Sequence, residues 1–226
     1  MDDSRVASAP EYTALARDLV ALVVPALATP SRAHGIVVGV AGESGSGKTV
    51  TAVSLARELE ASGVRTGIIH QDDYFLRAPR ANHAHRLVHL DDVGPQEVNL
   101  PLLALHIAAF RQRRQGVPTP VVDYETDCFL DRRRDFSDLS VLVVEGTYVL
   151  RLDELDIRIF LEATHQDTRA RRSARARDID DSFVERVLRI EHEIIAAQAA
   201  RAHIVIDRKF RIRELPGGVG HPPTIV

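Results

Sequence analysis

Gly42, Glu43, Ser44, Gly45, Ser46, Gly47, Lys48 and Thr49 follow one another in the pattern G-x-x-x-x-G-K-[ST], and their types suit one task, the holding of a phosphate chain. Gly42, Gly45 and Gly47 permit backbone conformations that a side chain would penalise, so successive N–H groups, that of Ser46 among them, can turn inward on an anion. The helix expected to follow adds its unpaired N–H donors and the positive end of its dipole. Lys48 supplies a mobile charge for the outer phosphates, and the Thr49 hydroxyl suits a magnesium ion, Mg2+. Only two lysines occur in the chain, against 27 arginines, so a lysine at this position is not background composition.

Phosphoryl transfer also needs a cation to offset charge on the phosphoryl oxygens and a carboxylate to orient or deprotonate the attacking hydroxyl. Two apolar runs end on acids: residues 66–70 lead into Asp72 and Asp73, and residues 141–144 lead into Glu145. We read Asp72 as the base, with Asp73 as the other candidate, and Thr49, Glu145 and Asp72 as the groups around magnesium. Acids at strand ends also serve as helix caps; the neighbouring glycine loop is what favours the catalytic reading. Downstream, Arg169, Arg171, Arg172, Arg175 and Arg177 stand with little but alanine between them. A helix of that composition has no apolar stripe to bury and is expected to fold over a ligand as a lid. Arg171 and Arg175, four residues apart, can reach the same phosphate and join Lys48 as catalytic candidates.

These groups must be positioned by a scaffold, and hydrophobic patterning supplies one. Residues 36–41 and 141–144 are continuous apolar runs, and 157–161 is another, interrupted only by Arg158. Such strands alternating with helical patterns predict an α/β fold, a parallel sheet with helices on both faces. Helices are expected over 11–27, from Leu15, Leu19 and Leu22; over 50–60; from Asn99 as cap to Gly116; and from Ser182 to about residue 200. Strands are expected over 66–70, 119–124 and 203–206. The stretch 76–95, polar and without periodicity, reads as a long substrate loop, with 125–138 irregular and the tail from 208 loose. The expected division is therefore an N-terminal helix within 1–34, a core over 35–207 with a lid at 165–181, and a tail over 208–226.

Composition bounds the rest. A chain of 226 residues with 45% hydrophobic content suits one domain, and a net charge of -3 gives no reason to expect nucleic acid or an anionic membrane as partner. The single Cys128 excludes an internal disulfide, and the histidines at 83, 85 and 89 match no metal template. The apolar stretch 15–27 is too short and too interrupted to span a bilayer, so a cytoplasmic protein is expected.

The order of these motifs, with Asp72-Asp73-Tyr74-Phe75, Pro120-Val121-Val122-Asp123-Tyr124, Glu145-Gly146 and the arginine-rich run, resembles the uridine kinase and phosphoribulokinase family of P-loop kinases over about residues 35–207. The resemblance implies a P-loop fold with the glycine-loop strand at the centre of the sheet, ATP with Mg2+ as donor, an aspartate base at Asp72 and a small hydroxylated acceptor. Asp73, Tyr74, Arg80, His83, Arg86, Asp123 and Tyr124 are the acceptor-side candidates. Val122 and Asp127 stand where uridine kinases carry the tyrosine and histidine that contact the pyrimidine. A nucleoside acceptor and a sugar, sugar phosphate, glycerate or pantothenate-like acceptor therefore both remain open, as does homo-oligomerisation. A nucleotide-dependent switch without an acceptor is the reading from another class.

Overall fold

The computed structural model describes residues 9–28, 34–167 and 181–215. Its elements in chain order are α1 (Pro10–Leu27), β1 (Ile36–Gly42), α2 (Lys48–Ala61), β2 (Thr66–His70), α3 (Pro79–Val88), α4 (Leu100–Arg111), β3 (Val117–Asp123), β4 (Cys128–Arg134), β5 (Val141–Gly146), β6 (Ile157–Leu161), α5 (Asp181–Ala196), β7 (Ile204–Ile206) and β8 (Ile212–Glu214). Six strands form one sheet in the order β2-β5-β1-β6-β7-β8, parallel except for β8. The strand before the glycine loop thus lies inside the sheet, between β5 and β6.

Burial on both faces explains why these strands read as unbroken apolar runs. Successive side chains alternate between faces. Ile36, Val38, Val40, Val141 and Val143 pack with Leu15, Leu19 and Val23 of α1 and Leu55 and Leu59 of α2. Val37, Leu142 and Val144 face the other layer, with Leu103, Ile107 and Phe110 of α4 and Ile195 of α5. Arg158, the one polar residue in β6, is buried with its guanidinium donating to the carbonyls of Leu152 and Asp153.

Four expectations need correction. The stretch 76–95 is not a loop: α3 occupies its middle, and because its buried residue is Asn82 and its leucine and valine are exposed, it shows no apolar period. Residues 125–138 are not irregular, because β4 pairs antiparallel with β3 in a separate two-stranded hairpin. The tail carries β8, which pairs with β7. The helix capped by Asn99, whose side chain accepts from the N–H of Leu102, ends at Arg111, before Arg113 takes a left-handed turn at φ 52°. The arginine-rich run with Arg171 and Arg175 lies outside the described residues.

Candidate active site

The loop from Gly42 to α2 is held in shape by its glycines and by α1. Gly45 and Gly47 have φ of 79° and 100°, which side chains rarely tolerate. A Cβ on Gly47 would lie 2.5 Å from the Tyr12 hydroxyl, so α1 closes the back of the loop. α2 begins at Lys48 itself, which puts its free N–H groups and dipole at the loop. Lys48 Nζ donates to the Glu43 carbonyl at 3.3 Å, keeping the ammonium at the loop's rim.

Asp72 sits in a 3₁₀ turn, Gln71–Tyr74, directly after β2. Both neighbours are buried and tied down. Gln71 Oε1 accepts from the Tyr148 N–H at 2.6 Å, and Asp73 Oδ1 accepts from the Val122 N–H at 2.9 Å. The Tyr74 hydroxyl pairs with His106 Nδ1 at 2.6 Å. Among these acids, Asp72 is the one that lines the cavity. Burial, then the nearby Glu145, raises its pKa against the opposing pull of Lys48 and His70. The Asp72 side chain itself is open to the cavity.

Glu145, the residue before the end of β5, lies opposite His70 of β2. Its Oε1 accepts from the Thr49 hydroxyl at 3.2 Å and lies 2.7 Å from His70 Nδ1. A hydroxyl and a carboxylate converging beside the phosphate loop form the all-oxygen donor set that a magnesium ion takes, so Thr49 and Glu145 fit that ion.

A cavity of about 360 Å3, in the range of small-molecule sites, opens from Lys48 and Asp72. Its walls come from α3 (Asn82, His83 and Arg86), the β3–β4 hairpin (Tyr124 and Phe129) and α5 (Phe183, Val187 and Glu191). Of the acceptor-side candidates, His83, Arg86 and Tyr124 line it. Asp73 and Tyr74 are buried away from it. The Arg80 N–H bonds to Asp127 Oδ1 at the hairpin turn, and Asp123 accepts from Glu125 and Thr126 within that turn. Arg86 is fixed by two bonds of 2.7 Å to Glu97 and one of 3.0 Å to Glu191. Burial raises the Glu191 pKa, and Arg86 opposes that rise.

The phosphoribulokinase/uridine kinase family model matches residues 37–211. The chain belongs to that family. A bifunctional alpha-galactosidase/sucrose kinase of Mediterraneibacter gnavus is 27% identical over 193 residues, 79% of this chain and 21% of its own length. The chain thus spans about a fifth of that relative. A uridine kinase of Ureaplasma urealyticum is 30% identical over 62% of this chain and 68% of its own. The solved D-glycerate 3-kinase of Cryptococcus neoformans superposes with a TM-score of 0.59 at 14% identity, covering 88% of this chain and 99% of that one, which is a likeness of fold.

The P-loop kinase fold and nucleotide-binding loop read from the sequence are therefore those of a phosphoribulokinase/uridine kinase family member. Sequence reasoning missed the contribution of α5 to the cavity, because Val184, Val187 and Leu188 follow the helical period of ordinary core positions and Phe183 falls within the capping box. It also missed Asn82 and Glu191. Glu97, fully buried, accepts from Asn82, Arg86 and the Gly94 N–H. The spacing of Asn82, Arg86 and Glu97 carried the only available signal, and that signal is weak without the fold. Among the described residues no helix is long and apolar enough to cross a membrane.

Proposed function

We propose that the protein is an ATP-dependent kinase that transfers the γ-phosphate to a hydroxyl of a small metabolite in the cytoplasm. The observation that carries this reading is that Lys48, the phosphate-loop cation, and Asp72 line one cavity of metabolite size. The loop amides and Lys48 bind the phosphates. Asp72 accepts the proton of the acceptor hydroxyl, and burial suits it to hold one. Thr49 and Glu145 would hold magnesium, which when bound would supply charge compensation on the phosphoryl oxygens. The core over 35–207 is one kinase domain, and Arg171 and Arg175 complete the charge stabilisation.

His83, Arg86, Tyr124 and Glu191 orient the acceptor. A nucleoside, a sugar and a glycerate-like acid are the acceptor classes to test, since relatives and structural neighbours are named for uridine, sucrose and D-glycerate. The test is incubation with ATP, magnesium and each acceptor, followed by mass spectrometry. A product heavier by one phosphoryl group supports the reading. Turnover of ATP with every acceptor recovered unmodified overturns it.

A further inference from the structure

Glu43, the second residue of the phosphate loop, is 5% exposed, and its carboxylate plays no part in the chemistry above. A buried carboxylate beside a site for phosphates is adverse unless a cation or several donors compensate it. Two histidines distant in sequence converge on it. His165, just after β6, directs Nδ1 to Oε2 at 2.8 Å, and its N–H reaches the same oxygen at 2.6 Å. His192 of α5 directs Nδ1 to Oε1 at 2.6 Å. The two rings lie edge to face with centroids 5.6 Å apart, and one ligating atom from each of the three residues falls within 4.8 Å of the others.

We propose that Glu43, His165 and His192 form a site for a divalent transition ion of the zinc class. Two imidazole nitrogens and a carboxylate are the donors such an ion takes, whereas magnesium is bound by oxygens. A tetrahedral ion about 2.1 Å from each ligand sets its donors roughly 3.4 Å apart, inside the 4.8 Å span that the three ligating atoms already occupy. Three protein ligands leave a coordination position for water, and the His192 side chain, 41% exposed, opens the site to solvent. The bound ion neutralises Glu43 and ties the phosphate loop to α5 and to the segment that follows β6. The competing state is a purely hydrogen-bonded clamp, in which each Nδ1 donates its ring proton to Glu43; metal binding instead requires the tautomer with the proton on Nε2.

The test titrates the full chain, stripped of metal, with Co2+ in the presence of excess Mg2+ and follows visible absorption and thermal unfolding. One equivalent should bind with a d–d band, yield to Zn2+ but not to Mg2+, and raise the unfolding temperature. His192→Ala, at a partly exposed position, should weaken binding by at least about tenfold, and Glu43→Gln should do the same. His89→Ala, in the separate histidine group of α3 and its cap, should leave binding intact. No saturable binding, displacement by Mg2+, or equal binding by His192→Ala overturns the proposal. None of these readouts depends on kinase turnover.

Discussion

Thr49 Oγ1 donates to Glu145 Oε1 across 3.2 Å, joining the first turn of α2 to the carboxyl end of β5. The contact spans 96 positions of sequence and sets a hydroxyl and a carboxylate at the same edge of the sheet as Asp72. His70 holds the same Glu145 oxygen from β2, so the carboxylate is oriented from one neighbouring strand and one helix.

If that pair holds magnesium, Glu145→Gln should raise the Mg2+ concentration for half-maximal turnover by about 10- to 100-fold while the fold survives. Initial rates over a magnesium titration measure it. An unchanged magnesium requirement removes Glu145 from this role.

Asp73 should behave as a structural acid. Asp73→Ala leaves the buried Val122 N–H without its acceptor, costing about 1–3 kcal/mol, read as a lower urea midpoint. Asp73→Asn retains an oxygen for that N–H and should keep kcat near the wild-type value. A collapse of kcat in Asp73→Asn with normal stability would instead make Asp73 the base.

The raised pKa of Asp72 has a thermodynamic counterpart. Its folded value lies above the unfolded value of about 3.9, so the folded state holds the proton more tightly. The stability this gives is present below the unfolded value and is lost as pH rises through the folded one. Asp72→Asn should therefore unfold at a higher temperature than wild type at neutral pH, without nucleotide or magnesium, and the gap should close toward pH 4. Exposure to the cavity keeps the gain small. Calorimetry over that range decides; a variant less stable at neutral pH contradicts the assignment.

Arg86→Ala should cost about 3–5 kcal/mol, because it strands Glu97, whose side chain is 1% exposed. Adding Glu97→Leu should recover part of that loss. A single-variant loss no larger than that of an exposed pair, about 1 kcal/mol, would show that Glu97 finds its compensation elsewhere.

The parts of this fold legible in the sequence are those whose side chains meet apolar surroundings on a regular period. β1, β5 and β6 announce themselves because both of their faces are covered, and the phosphate loop because backbone geometry dictates its glycines. α3 escapes because the residues it turns to the cavity, Asn82, His83 and Arg86, are polar, while Leu87 and Val88 are exposed. β4 escapes because its hairpin stands off the main sheet, leaving Asp131, Arg132 and Arg133 in solvent. The sequence favours Asp72 over Asp73 as the base but does not show what sets them apart, since only the fold brings the Val122 N–H to Asp73. Glu43 occupies an unspecified position of the loop pattern, and its histidine partners lie 122 and 149 positions away, so its role is not legible in the sequence.

The most direct test of the account is ADP release from ATP with magnesium across a panel of uridine, cytidine, other nucleosides, free sugars, sugar phosphates, glycerate and pantothenate, comparing wild type with Lys48→Ala and Asp72→Asn. The account predicts that at least one acceptor stimulates release, that Lys48→Ala abolishes it, and that Asp72→Asn lowers kcat by about a hundred- to ten-thousandfold with the KM for ATP little changed. Release that is indifferent to every acceptor, or near-normal transfer by Asp72→Asn, would contradict it.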